Sequence, residues 1–408
     1  MLARLATGNS RPVRVESLAP QGEFTVSDPL HNFTVNVGDD EIADLRDRLA
    51  RTRWPDRIPG VGWDYGVDAD WVRDLADYWA NGFNWRTAED RLNAFDHITT
   101  EIDGQRIHAI HQRSSSPDAL PLVISHGWPG SVVEFLDIIG PLTDPKAHGG
   151  DPADAFHVVA PSLPGYAWSG PTTDRGWGPT RIARAFATLA ARLGYDRYGV
   201  QGGDWGSIIS QEIARTDSEH VAGCHVNMIT TRPPGQPDDM EDLSPFEQTV
   251  FDRAAWYQAE DNGYFRIQQT RPQTLGTGLN DSPAGLLAWI GEKFHGWTDH
   301  DGDPFTAVDR DTILANVSVY WFTGTANSST RIYFELMRTL EAGFGTTGDV
   351  PLGVSVFPRE LFAARRRWVE AAHNLVFWAE NDRGGHFAAL ETPGLLVDDI
   401  RACFRDLR

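Results

Sequence analysis

Cysteine is almost absent: Cys224 and Cys403 are the only two, and no C-x-x-C pair occurs. That excludes a disulfide framework and fits a reducing compartment, so a cytoplasmic location is expected. Lysine is equally scarce, with only Lys146 and Lys293. Positive charge is in deficit, 36 Lys+Arg against 57 Asp+Glu, for a formal charge of −21. A general nucleic-acid binder needs a basic surface, so that class is excluded, and so is docking on anionic lipid. The first 30 residues hold no apolar run long enough for a signal h-region or a membrane span. There is no G-x-G-x-x-G and no P-loop, hence no implied nucleotide cofactor. Internal repeats and low-complexity tracts are missing too.

What is present is ordinary globular material in quantity. The 408 residues suit two to three domains or one large α/β domain with insertions. Fifteen tryptophans can thicken a core or line an apolar cavity.

The pattern divides the chain. Residues 1–28 lack periodicity and are expected to form a flexible leader. Residues 29–96 suggest a small helical unit. Asp39-Asp40 can cap a helix carrying Ile42, Leu45 and Leu49, and a second helix runs from Asp68 through Trp71 and Leu75. From 97 to 230 apolar strands alternate with helical stretches, opening on a hairpin about Asp103-Gly104. Residues 231–347 break that alternation with aromatic helices and read as a lid insertion. The α/β pattern resumes over 348–408. Strand–helix alternation implies an α/β fold with a mostly parallel sheet and helices on both faces.

Gly202-Gly203-Asp204-Trp205-Gly206 follows a strand and opens a helix. Small residues around one reactive residue permit a strained turn that lifts its side chain to the top of a sheet. The usual centre is Ser; here it is Asp204, whose carboxylate can attack carbon and form an ester. A Gly-rich turn with Asp as an ordinary N-cap is the structural alternative. Later, Gly384-Gly385-His386-Phe387 follows a strand just before the last helix. Nucleophile, acid, then a late histidine is the α/β-hydrolase order. Glu360, Glu380 and Asp382 are candidates to orient the imidazole, and the strand-end position favours Glu360. Backbone N–H donors for an oxyanion are expected from Trp205 and, in His126-Gly127-Trp128-Pro129-Gly130, from Trp128. Trp128, Trp205, Pro129 and Phe387 are the expected substrate contacts.

Taken together, H-G-W-P-G, G-G-D-W-G, F-P-x-E-L and R-G-G-H-F resemble the microsomal-type epoxide hydrolase family of α/β hydrolases, from about residue 30 to the C-terminus. The resemblance implies an α/β-hydrolase fold with a helical N-terminal domain and lid, an Asp204–His386–Glu360 triad, and no cofactor or metal. The implied partner is a small-molecule epoxide, hydrolysed to a diol. Membrane-anchored members carry an apolar N-terminal helix that this sequence lacks, so it resembles the soluble bacterial members. Such relatives occur in xenobiotic breakdown and in biosynthesis of natural products such as enediynes. The family's two lid tyrosines are matched by Tyr264 in G-Y-F-R-I-Q and Tyr333 in R-I-Y-F-E. Chemically, a departing alkoxide needs a donor, and a phenol supplies one. A haloalkane dehalogenase shares the Asp elbow but does not require the tyrosine pair. A non-catalytic binding protein on the same fold would lack a triad member. The sequence leaves oligomeric state open, a homodimer included.

Remaining features read plainly. Asp299-His300-Asp301-Gly302-Asp303 fails calcium-loop spacing and is expected to be a solvated loop. His108 and His111 lie on the hairpin without further metal ligands, and His225 is a packing histidine within a strand.

Overall fold

The computed structural model describes residues 29–408 apart from 232, 237, 341–343 and 363. The leader expected over 1–28 lies outside the described residues. Nine strands form one sheet: β1 (His31–Phe33), β2 (His97–Ile102), β3 (Gln105–Gln112), β4 (Leu120–Ser125), β5 (Phe156–Pro161), β6 (Tyr198–Gly202), β7 (Val221–Val226), β8 (Leu352–Val356) and β9 (Leu375–Glu380). Their order is β1-β2-β3-β5-β4-β6-β7-β8-β9. The first four strands in that order pair antiparallel and the rest parallel. β5, β7 and β8 are buried at every position, as strands covered on both faces must be. The β2–β3 hairpin turns on Asp103 and Gly104, both at positive φ (54° and 71°), the pair a two-residue twisted turn requires.

This topology prepares a site. The chain moves from β4 outward to β5, then returns to the other side of β4 as β6. Such a reversal opens a crevice at the carboxyl ends of the strands. Ser125 at the end of β4 is in register with Gly202 at the end of β6. The H-G-W-P-G loop and the G-G-D-W-G turn therefore leave the sheet side by side.

The N-terminal helices run Asp39–Ala50, Ala69–Asn81 and Trp85–Leu92. Gly38, not Asp39 or Asp40, caps the first; the acids occupy its first turn, where the helix dipole favours them. The Asp68 carboxylate accepts from the Asp70 and Trp71 N–H groups and starts the second. That helix buries Val72, Leu75, Ala76 and Trp79. Periodicity did not reveal β1: three residues are too few to show alternation. It adds the N-terminal segment to the sheet edge beside β2.

Residues 231–347 are mainly helical as expected, with helices Pro245–Trp256, Gly263–Thr270, Pro272–Asp281, Pro283–Trp297 and Arg310–Thr323, then shorter turns at Ala326–Ser329 and Arg331–Leu336. A π-helical turn, Tyr257–Asp261, joins the first two. Trp79 ties this layer to the N-terminal unit: its indole N–H donates to Ser318 Oγ at 2.9 Å, in helix Arg310–Thr323, with the ring 1% exposed. Among the described residues no helix is long and apolar enough to cross a membrane.

Trp79→Ala should cost about 3–5 kcal/mol through the cavity it leaves. Trp79→Phe, which keeps a ring but orphans the Ser318 hydroxyl, should cost about 1–2 kcal/mol. Denaturant midpoints of both variants against the parent check the ordering; equal losses would place the whole effect in the hydrogen bond.

Candidate active site

Asp204 sits between β6 and helix Trp205–Thr216 with φ 49° and ψ −127°. That conformation is costly for a residue with a side chain and persists only where the surroundings impose it. The surroundings here are close backbone. A Cβ on Gly202 would strike the Gly206 backbone, and one on Gly206 would strike the Ser125 carbonyl. Glycine at both positions lets the turn close and pushes the Asp204 carboxylate up between two loops. Asp204 is thus no ordinary N-cap: its side chain makes no capping hydrogen bond.

The carboxylate oxygens have different neighbours. Oδ1 accepts the Trp128 backbone N–H at 2.7 Å. Oδ2 lies 3.4 Å from His386 Nε2. His386 Nδ1 is 2.9 Å and 3.2 Å from the two Glu360 oxygens, and Glu360 Oε1 also accepts the Leu361 N–H at 2.5 Å. Glu360 is 1% exposed and His386 4%. Of the three candidate acids only Glu360 meets the histidine; Glu380 accepts from the Trp378 indole at 3.1 Å, and Asp382 points to solvent beside Arg383. Burial opposes charge on the imidazole, but the Glu360 carboxylate, helped by Asp204, prevails and holds His386 well above its usual range.

Above the carboxylate lies an aromatic layer. Trp128 stacks on Tyr264 (centroids 5.0 Å, interplanar 11°), and Trp205 meets Tyr333 edge-on at 4.7 Å. The two tyrosine rings are 5.9 Å apart. Burial, then neighbouring phenols and Asp204, pushes the Tyr264 hydroxyl far above its usual range; burial and Asp204 do the same at Tyr333. Both remain protonated donors. The Tyr333 hydroxyl and Trp205 indole N–H are buried without a well-formed hydrogen bond, while Tyr264 shares one of 2.9 Å with Tyr257. Pro129 meets helix Arg310–Thr323, its carbonyl accepting from the Asn316 amide at 2.7 Å. Phe387 stacks on Phe294 at 4.5 Å. The cavity touching both Asp204 and His386 is about 10 Å³, the size of one water rather than an aryl epoxide.

Three groups escaped the sequence reading. Tyr257, in the π-helical turn, is the partner of Tyr264; nothing in its local pattern distinguishes it from a core aromatic. Glu134 borders the cavity from the turn after the H-G-W-P-G loop. Asp299 departs from the solvated-loop expectation: it accepts the Gly384 N–H at 2.9 Å, and its own N–H donates to Glu391 at 2.7 Å. Glu391 also accepts the Phe387 N–H at 2.9 Å. The rest of that loop, Asp301 to Asp303, is exposed as expected. His108 is bonded to His97 and Ser162, and His225 to Ser355, as packing histidines. No metal-ligating cluster occurs among the described residues.

Comparison with known proteins follows this geometry. The family described as "Epoxide hydrolase N terminus" matches residues 30–135, and "alpha/beta hydrolase fold" matches 121–271. A putative epoxide hydrolase of Stigmatella aurantiaca is 48% identical over 92% of this chain and 85% of its own. Epoxide hydrolase 1 of Sus scrofa is 36% identical over 90% of this chain and 87% of its own. The solved Aspergillus niger epoxide hydrolase superposes with a TM-score of 0.84 at 34% identity, covering 95% of this chain and 99% of that one.

Two outcomes follow from the packing. Gly206→Ala forces a Cβ into the Ser125 backbone, and overpacking of this kind costs about 1–3 kcal/mol or more; the expected result is a lower melting temperature or loss of folded protein. Glu391 is held up to about 7 by burial, against its backbone hydrogen bonds. Its unfolded value is near 4.5, so between these values the folded chain keeps a proton that the unfolded chain releases. Stability from this group therefore falls as pH rises from about 4.5 to about 7. Glu391→Gln should flatten that part of the profile, read as melting temperature against pH for both proteins.

Proposed function

The chain belongs to the epoxide hydrolase family of α/β hydrolases, and from that premise we propose that it opens an aryl or other bulky apolar epoxide through a covalent ester on Asp204. The observation that carries this reading is the division of the Asp204 carboxylate, Oδ1 on the Trp128 N–H and Oδ2 beside His386, beneath two buried phenols.

In the first step Tyr264 and Tyr333 hold the oxirane oxygen. Asp204 Oδ2 attacks one ring carbon from the opposite side, a C–O bond breaks, and a phenol donates its proton to the departing alkoxide. An uncharged phenol suits this work, because it donates and leaves no second anion beside Asp204. The product is a hydroxyalkyl ester. Esterification removes a negative charge 3.4 Å from His386 Nε2. One of the groups raising the imidazole's basicity is lost, so the ring can pass its proton to the phenolate, restoring the phenol, and then act as a base. In the second step water attacks the ester carbon and His386 takes its proton, with Glu360 orienting the ring. The Trp128 and Trp205 N–H groups stabilise the oxyanion. Collapse breaks the bond to the diol oxygen, which recovers the proton from His386, and the second water proton, left on the Asp204 carboxyl, passes to the freed imidazole and restores the starting state. No metal or cofactor enters. A Ser in place of Asp204 would yield an ether that this machinery does not hydrolyse.

On this reading residues 29–96 form the N-terminal domain, 97–230 and 348–408 the core, and 231–347 the lid. Trp128, Trp205, Pro129 and Phe387 shape the substrate contact. A cytoplasmic enzyme of xenobiotic breakdown or of natural-product biosynthesis fits it. The named relatives favour epoxide opening over halide displacement, and all triad members are present, against a binding-only protein.

His386→Gln should stall the second step. Incubated with styrene oxide, it should gain the mass of the whole epoxide, mapped to Asp204 by intact and peptide mass spectrometry. A butyl adduct from 1-bromobutane without any epoxide adduct would overturn the reading in favour of halide displacement. Tyr264→Phe and Tyr333→Phe should each slow adduct formation by about 10²-fold, as loss of a positioned donor does; unchanged rates would remove the phenols from the mechanism.

A further inference from the structure

The mechanism above assigns no place to Glu134, yet Glu134 borders the cavity that both reacting groups share. It lies in the short turn Val132–Phe135, directly after the oxyanion loop. Its carboxyl group occupies the space a Cβ on Gly130 would need, so glycine at 130 is what lets it reach inward. The cavity, about 10 Å³, is lined by Glu134, Asp204, His386, Ser125, Gln201 and Asn227 among others. That volume suits one water, and a buried water needs two to four polar partners. The wall supplies them. Ser125 Oγ and Gln201 Oε1 are buried there without a hydrogen-bond partner in the protein. The Gln201 amide N–H donates to Asn227 at 2.9 Å, which fixes the orientation of its oxygen.

We propose that Glu134 holds the hydrolytic water in this cavity, between His386 and the ester carbon of Asp204. The proposal rests on the ester route above and adds a residue to its second step. The charge state agrees with the geometry. Burial, with Asp204 adding to it and His386 opposing, lifts the Glu134 carboxyl to about 8. The other titratable group coupled to it is Tyr320, whose hydroxyl donates to the Gly130 carbonyl at 2.6 Å. Near neutral pH Glu134 is therefore a neutral acid that can donate one hydrogen bond and accept others. A second carboxylate beside Asp204 would repel the developing oxyanion; a neutral acid orients the water without that penalty. The balance is simple. The water oxygen bonds to Cγ of Asp204, one water proton passes to His386 Nε2, and the Cγ–O bond to the diol breaks as His386 returns that proton; the second water proton, left on the Asp204 carboxyl, then passes to His386. Glu134 keeps its own proton throughout.

The test is a rapid-quench single turnover with styrene oxide, read by intact mass, which times adduct formation and adduct decay separately. Glu134→Ala should form the adduct within about twofold of the parent rate and lose it about tenfold to a hundredfold more slowly, the scale for misplacing one reactant. Glu134→Gln, similar in shape and able to donate and accept, should recover decay to within about fivefold of the parent. Parent-like decay in Glu134→Ala overturns the proposal. So does a parallel fall in formation and decay, which marks a structural role. If Glu134→Ala does not fold, Glu134→Asp gives the same comparison: slow decay with intact formation supports the proposal, and parent-like decay overturns it. Absence of any adduct in a His386→Gln control is a different failure, of the ester reading itself, and removes the proposal with it.

Discussion

The strained conformation of Asp204 is the constraint on which the site depends. A positive φ at a residue with a side chain needs a reason to persist, and here the reason is backbone on backbone: Gly202 against Gly206, and Gly206 against Ser125. The strain is held by the sheet. β4 and β6 are neighbours, so the loops leaving them emerge together, and the Trp128 N–H is already aimed when the Asp204 carboxylate arrives. Pairing of the same strands that fixes the fold fixes the distance between the Asp204 carboxylate and the Trp128 N–H. Preorganisation of this kind avoids a reorganisation cost during the reaction.

Much of this was legible in the sequence, because the groups that meet in space are carried by short local patterns at strand ends. Small–small–Asp–Trp–Gly announces a turn, and Gly-Gly-His before a last helix announces a loop. β4 through β9 were readable as apolar runs, and the final helix, Pro393–Phe404, follows directly from its proline start and its spacing. What stayed hidden has a common cause. β1 is three residues long and exists only because β2 offers an edge. Tyr257 looks like any lid aromatic until the π-helical turn brings its hydroxyl to Tyr264. Glu134 reads as a surface residue of a short turn until Gly130 proves to have no side chain in its way. Each depends on a neighbour distant in sequence or on an atom that is missing, and neither leaves a periodic trace.

The N-terminal helices pack against the helices of residues 231–347. Trp79 and Ser318 join them directly, and helix Pro283–Trp297 buries Leu286, Leu287 and Ile290 within the same core. Trp79 and Trp297 are buried core rings, whereas Trp128 and Trp205 lie against the catalytic tyrosines proposed here. An aromatic layer this close to a carboxylate lowers the local polarity and strengthens each remaining hydrogen bond.

The end of helix Pro283–Trp297 and the residues after it also hold the histidine loop. The Trp297 carbonyl accepts the His386 N–H at 3.0 Å, Asp299 accepts from Gly384, and Glu391 gathers the N–H groups of Asp299 and Phe387. The end of that helix and the segment carrying His386 are thus stitched by hydrogen bonds rather than merely stacked. A displacement of the Trp297 end of its helix is therefore passed through that backbone bond to the segment that carries His386, so the two are held to move as one piece.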